Sequence, residues 1–180
     1  LAAVDVVREQ LEHILAEGTD APPPPYDFAD EGLLVWPGRG FETELKGYIN
    51  DRWQSWLGYA YTDARVTSDT SATIRAGNRI QLVPFNQISW WNKYQITPVW
   101  AASLGVIYFS DSFASSDDTV YLPGFVRFDL GIFATIDEHW KAQLNVENLF
   151  NKGYWATADG NNNISPGQSR TLRLKVTARF

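Results

Sequence analysis

The sequence predicts an all-β fold: an antiparallel sheet that forms part of a transmembrane barrel. Three observations predict it. Seven stretches alternate apolar and polar residues, their connections are alternately short and long, and tryptophan follows every short turn. Strict period-two alternation gives a strand one apolar and one polar face. Short turns on one side of a sheet and long loops on the other are the pattern of an outer-membrane barrel.

Residues 1–35 stand apart from this pattern. Val4, Val7, Leu11 and Ile14 recur at helical spacing, and Gly18 is placed to stop the helix. "APPPPYD" (21–27) then has to run extended, as polyproline. A short amphipathic helix with a spacer is the simplest reading, and a partner-binding helix the sharper one. Residues 1–35 hold eight acids and one base, whereas 36–180 hold thirteen acids and fourteen bases. That shift divides the chain into an acidic, Pro-rich N-terminal segment (1–35) and the barrel portion (36–180).

The strands are expected at about 40–50, 52–65, 79–96, 99–110, 122–136, 139–151 and 169–180. In the first, Phe41, Thr43, Leu45 and Ile49 oppose Glu42, Glu44 and Lys46. In the fifth, Val126, Phe128, Leu130, Ile132, Ala134 and Ile136 oppose Arg127, Asp129 and Thr135. In the sixth, Ala142, Leu144 and Val146 oppose Lys141, Gln143, Asn145 and Glu147. The last, "LRLKVTARF" (172–180), alternates without a break. Its apolar Leu172, Leu174, Val176, Ala178 and Phe180 turn to one side, and Arg173, Lys175 and Arg179 to the other.

Short turns are expected at 50–52, 97–99 and 137–139, and long polar loops at 67–78, 110–121 and 151–168. Trp53, Trp100 and Trp140 follow the three short turns, each on the apolar parity of its strand, and Tyr61 and Tyr108 lie eight residues farther along two of them. Eight residues at about 3.3 Å, tilted by about 40°, climb roughly 20 Å, close to the height of a barrel's apolar band. These aromatics are therefore expected as girdles at the two membrane interfaces. A soluble sandwich or lipocalin also alternates, but has no reason to set tryptophan at one depth after every short turn.

Other chemistry finds little support. No run of about 18 apolar residues exists to form a transmembrane helix. Cysteine is absent, which removes disulfides and thiolate metal sites, and no cofactor is called for. His13 and His139 lie on the helix and in a short turn, which does not suit a metal centre or a Ser-His-Asp triad. No basic stripe suggests nucleic acid. "DGNNN" (159–163) starts like an EF-hand loop, but Ile164 stands where glycine is required and Arg170 where glutamate is, so a flexible loop tip is expected. Arg127, Asp129, Lys141, Glu147, Arg173, Lys175 and Arg179 are expected on a wet inner wall, mostly as ladders paired across strands. Met and a signal peptide are both missing, so a fragment or processed product is expected.

"NVENLFNKGYW" (145–155), "PGQSRTLRLKVTARF" (166–180), "GRGFETELKG" (38–47) and "WLGYAYTDARVTSD" (56–69) resemble the carboxyl end of a TonB-dependent receptor, of the ferric-siderophore type. The Asn-Leu-Phe-Asn-Lys-x-Tyr run (148–154) and Pro-Gly followed by Arg-Thr carry the resemblance most specifically. It implies that seven strands are about a third of a 22-stranded, plugged barrel. It implies partners too: outer-membrane lipid, a ferric-siderophore-type ligand, and the TonB complex acting through a plug absent from this chain. The final apolar residues with Phe180 resemble the signal by which the barrel-assembly machinery picks up its substrates. The expected location is the bacterial outer membrane. Two alternatives are a complete small barrel with "GLLVWPG" (32–38) as an eighth strand, in a structural or adhesive role, and a less favoured outer-membrane enzyme.

Overall fold

The structure, a computed structural model, describes residues 39–180. The expected N-terminal helix and Pro-rich linker, and the stretch considered as an eighth strand, lie outside the described residues. The chain forms β1 (Arg39–Asn50), β2 (Trp53–Asp63), β3 (Asn86–Gln95), β4 (Trp100–Phe109), β5 (Ser112–Phe113), β6 (Tyr121–Leu122), β7 (Phe125–Thr135), β8 (Trp140–Glu147), β9 (Trp155–Ala158), β10 (Ile164–Pro166) and β11 (Thr171–Ala178). Seven of these make one antiparallel sheet in the order β1-β2-β3-β4-β7-β8-β11. They are the seven expected strands. The two remaining pairs, β5 with β6 and β9 with β10, are small hairpins inside the long loops.

Two strands are shorter than the alternation suggested. Residues 79–85 belong to a loop: Leu82 has φ 59°, its N–H donates to the Phe113 carbonyl (2.9 Å), and Pro84 has no N–H to offer a ladder. β8 stops at Glu147 because Asn148 turns left-handed, with φ 53°.

Register sorts the side chains cleanly. Leu104, Leu130, Val146 and Leu172 are successive cross-strand partners, and so are Ile132, Leu144 and Leu174. Every leucine of the seven-stranded sheet shares this face. On β4 it is the exposed one, whereas Ala101, Ser103, Gly105, Ile107 and Phe109 are all buried. Apart from Arg39 and Asp63, partners at the ends of β1 and β2, every charged residue of the seven strands lies on the opposite face.

Candidate barrel wall and extracellular mouth

The three turn-following tryptophans lie on the leucine face in a regular stagger. Trp53 pairs with Tyr94, which pairs with Ala102, two residues beyond Trp100. Trp100 pairs with Ala134, which pairs with Ala142, two residues beyond Trp140. A slip of two residues (about 6.6 Å) over two strand spacings (about 9.6 Å) corresponds to a tilt of roughly 35°, the tilt of strands in a membrane barrel. The tryptophans thus fall on one level line of a tilted wall. Tyr61 and Tyr108 repeat the step at the other end. Tyr61 pairs with Asn86, which bonds to Ser110, two residues beyond Tyr108.

The last strand shows the leucine face most plainly. Leu172 and Leu174 are 67% and 72% exposed, and Val176, Ala178 and Phe180 are exposed with them. Phe180 sets its ring edge-on to Trp140, centroids 5.9 Å apart.

The charged face carries the other sequence-expected residues, in two kinds of pairing. Arg173 bridges β11 to Glu147 of β8 at 3.0 Å, the expected cross-strand ladder. Arg127 instead pairs along its own strand with Asp129 (2.7 Å), and both are well covered. Lys141 stands opposite Thr135 and Thr177, and Lys175 opposite Gln143. Arg179 lies past β11, its N–H on the His139 carbonyl (2.9 Å).

This face is less wet than its charges suggested. Trp91, Ile107 and Phe109 are buried on it, with Trp56 and Phe125 packed against them. Trp91 lies directly across from Gly105, where a Cβ would come within 2.5 Å of its ring. Polar partners tie the aromatic belt to the charges: Trp56 Nε1 donates to Glu44 (2.5 Å), and Lys93 sits 4.5 Å over the Phe133 ring. The sequence held the signal. Adjacent Trp90 and Trp91 must point to opposite faces, and Phe109, Phe125 and Phe133 share the parity of Arg127.

Above the sheet, the three long loops interlock. Arg79 is the hub of the first and second: its guanidinium bonds the Asp111 side chain and carbonyl (2.8 Å each), stands 4.0 Å over Phe85, and its N–H meets Asp118. Asn78 Nδ2 donates to the Ser116 carbonyl (2.8 Å). Asn161 of the third loop donates to Asp117 (2.7 Å) and to the Thr119 hydroxyl (2.9 Å) of the second. Burial would raise the Asp117 carboxyl, but donation from the Thr119 N–H, the Thr119 hydroxyl and Asn161 outweighs it and holds the group below its ordinary value. Beneath these bonds Ala114, Leu122 and Ala158 form a separate core with Leu82, Val120 and Ile164. The loop tip at Asn161, expected to be flexible, is one of the clamps.

The Asn-Leu-Phe-Asn-Lys-x-Tyr run joins loop to wall. Asn148 N–H donates to Asp129 Oδ1 (2.7 Å), while its buried side chain accepts from Lys152 N–H and donates to the carbonyls of Lys152 and Gln168. Asn151, also left-handed at φ 52°, accepts from Arg170 N–H (2.9 Å). Arg127 reaches the Tyr154 hydroxyl (3.1 Å), and Tyr154 stacks on Phe125 at 4.3 Å. A Cβ on Gly167 would come within 2.1 Å of the Tyr154 ring, so the Pro-Gly pair supplies the one residue that fits there. Left-handed backbone is most readily supplied by glycine and asparagine.

This architecture has counterparts among known proteins. The chain is 27% identical over 150 residues to the probable TonB-dependent siderophore receptor PiuA of Acinetobacter baumannii, covering 78% of this chain and 20% of that protein. It is 30% identical over 150 residues to the ferric-pyoverdine M114 receptor PbuA of a Pseudomonas species, covering 79% and 18%. The crystal structure of A. baumannii PiuA superposes with a TM-score of 0.70 at 25% identity over 78% of this chain and 21% of that one. The closed form of the ferric-catecholate import receptor Fiu of E. coli K12 gives 0.69 at 25% identity over 78% and 20%. The chain thus spans about a fifth of the length of the relatives it matches. Residues 38–149 match the family described as TonB dependent receptor-like, beta-barrel, and with the staggered tryptophans, the interlocked loops and the seven-stranded wall this chain belongs to that family.

Proposed function

We propose that this chain supplies part of the wall and part of the extracellular mouth of an outer-membrane receptor that takes up a ferric siderophore or a similar chelate by a TonB-dependent route. The carrying observation is the loop body: three long loops at one end of a tilted wall, fixed to each other and to the charged face below. On this reading the leucine face meets lipid, with Trp53, Trp100 and Trp140 at the periplasmic interface and Tyr61 and Tyr108 at the outer one. Arg127, Asp129, Lys141, Glu147, Arg173, Lys175 and Arg179 line the inside, where a plug contacts them. Leu172, Leu174, Val176, Ala178 and Phe180 form the strand that the barrel-assembly machinery recognises. The relatives are receptors, and a transport role for the whole protein extends that to this chain.

The test is uptake of radiolabelled iron, presented as a panel of ferric chelates, by cells expressing the full-length protein. One chelate should accumulate only when both the receptor and TonB are present and the inner membrane is energised. Accumulation that persists without TonB would reject the proposal.

A further inference from the structure

Gly131 of β7 leaves a gap in the charged face. Ser103 of β4 and Asn145 of β8 stand directly across from it, one on each side. Asp129 and Glu147, two residues away along β7 and β8, share that face. A cavity of about 10 Å³ lies among these five residues, and Trp91 of β3 completes its lining. A Cβ on Gly131 would run into Ser103 Oγ and the Phe133 ring, so the gap depends on glycine. Ser103 and Asp129 are only 5% and 2% exposed. The volume is about that of one water-sized sphere, which admits a single water and nothing larger.

The hydrogen-bonding capacity around the cavity has a definite sign. Ser103 Oγ is buried and has no partner among the described residues, which is destabilising for a hydroxyl. Asn145 Oδ1 accepts from Gln143 Nε2 (3.0 Å), while its two amide hydrogens have no acceptor among the described residues. Asp129 accepts from Asn148 N–H and from Arg127 Nη2 (2.7 Å each), and Glu147 from Arg173 (3.0 Å). A carboxylate offers about four acceptor positions, so both acids can accept more. Two spare donors and two spare acceptors are the complement of a water molecule. Two carboxylates exclude an anion, the Asn145 N–H groups oppose a metal cation, and the polar lining disfavours an apolar guest.

We infer that this cavity is a binding site for one ordered water. It accepts from the Ser103 hydroxyl and the Asn145 amide, and donates to the Asp129 and Glu147 carboxylates. The missing side chain of Gly131 is the water's place. Through it the Arg127–Asp129 and Arg173–Glu147 pairs of neighbouring strands become one network, anchored to the mouth by the bond from Asp129 to Asn148. The inference rests on strand register and not on which face of the sheet meets lipid.

The test is a crystal structure of the full-length protein at a resolution that shows ordered solvent. One peak should appear in the cavity, about 2.7–3.2 Å from Ser103 Oγ, Asn145 Nδ2 and an Asp129 oxygen. Ser103→Thr and Ser103→Val have the same shape and differ in the hydroxyl alone, so each should be crystallised after it is shown to be heat-modifiable. The threonine variant should keep the peak and the valine variant should lose it. A dry cavity in the unaltered protein, or Ser103 Oγ bonded there to another protein group, would overturn the inference. So would a peak as strong in the valine variant as in the threonine one. Several oxygens at about 2.4 Å from the peak, or an anomalous signal there after a rubidium soak, would make the occupant a cation and overturn it as well.

Discussion

The wall and the loop body reach order by opposite means. In the wall, ladder hydrogen bonds run along all seven strands, yet large apolar side chains stay uncovered on the leucine face, Leu45, Leu172 and Leu174 among them. In the loop body regular structure is scant, yet Ala114 is fully buried and polar side chains tie one loop to the next. Backbone satisfaction and apolar burial are separate requirements. In a bilayer the first must be met within the protein and the second is met by lipid, whereas in water a loop must supply both.

That contrast predicts where damage is greatest. On the proposed reading of the leucine face, Leu174→Arg in the full-length protein puts a charge near mid-bilayer, at a cost of about 2–4 kcal/mol. It should deplete the assembled receptor relative to total synthesis, while Lys175→Leu, one residue on and on the other face, should assemble nearly normally. The reverse outcome, read as heat-modifiable protein in outer-membrane fractions, would invert the two faces.

Damage at the junction should be smaller and local. Asn148→Ala strands the groups of Lys152 and Gln168 and leaves at φ 53° a residue that tolerates left-handed backbone less well than asparagine, together about 2–3 kcal/mol. Residues 148–170 should become protease-sensitive while the wall stays resistant. Gly167→Ala should displace Tyr154 from Phe125 at a cost of about 1 kcal/mol or slightly more, seen as faster amide exchange over the same segment. Loss of the whole barrel in either variant would mean that wall and mouth are not separable.

The smallest effect is on pH. The Asp117 carboxyl is depressed in the folded protein, so its contribution is present above the unfolded value of about 3.9 and is lost as pH falls through the folded one. Exchange protection over 155–164 should therefore decline only in strong acid, and Asp117→Asn should flatten that decline. A decline starting near neutrality would point to another group.

The wall was legible in the sequence and the loop body was not. Alternation is local, so Leu172 through Phe180 disclosed a strand and its two faces without reference to any other residue. Tryptophan after each short turn disclosed a shared face for the same reason. The loops are held by pairs far apart in sequence, such as Asn161 with Asp117 and Arg79 with Asp111, and by a core of small residues such as Ala114 and Ala158. No periodicity marks such pairs. The aromatic belt on the charged face falls between the two cases: the parity of Phe109, Phe125 and Phe133 was readable, but charges at alternate positions masked it.

The central claim is that the seven strands form one tilted lipid-facing wall, and single-cysteine labelling of β11 tests it most directly. In the full-length protein reconstituted in bilayers, a fluorophore placed in turn at Leu172, Arg173, Leu174, Lys175 and Val176 is exposed to a lipid-attached quencher. The account predicts strong quenching at Leu172, Leu174 and Val176 and weak quenching at Arg173 and Lys175, reversed for a water-soluble quencher. Quenching that varies smoothly along the strand, or that peaks at Arg173 and Lys175, would contradict it.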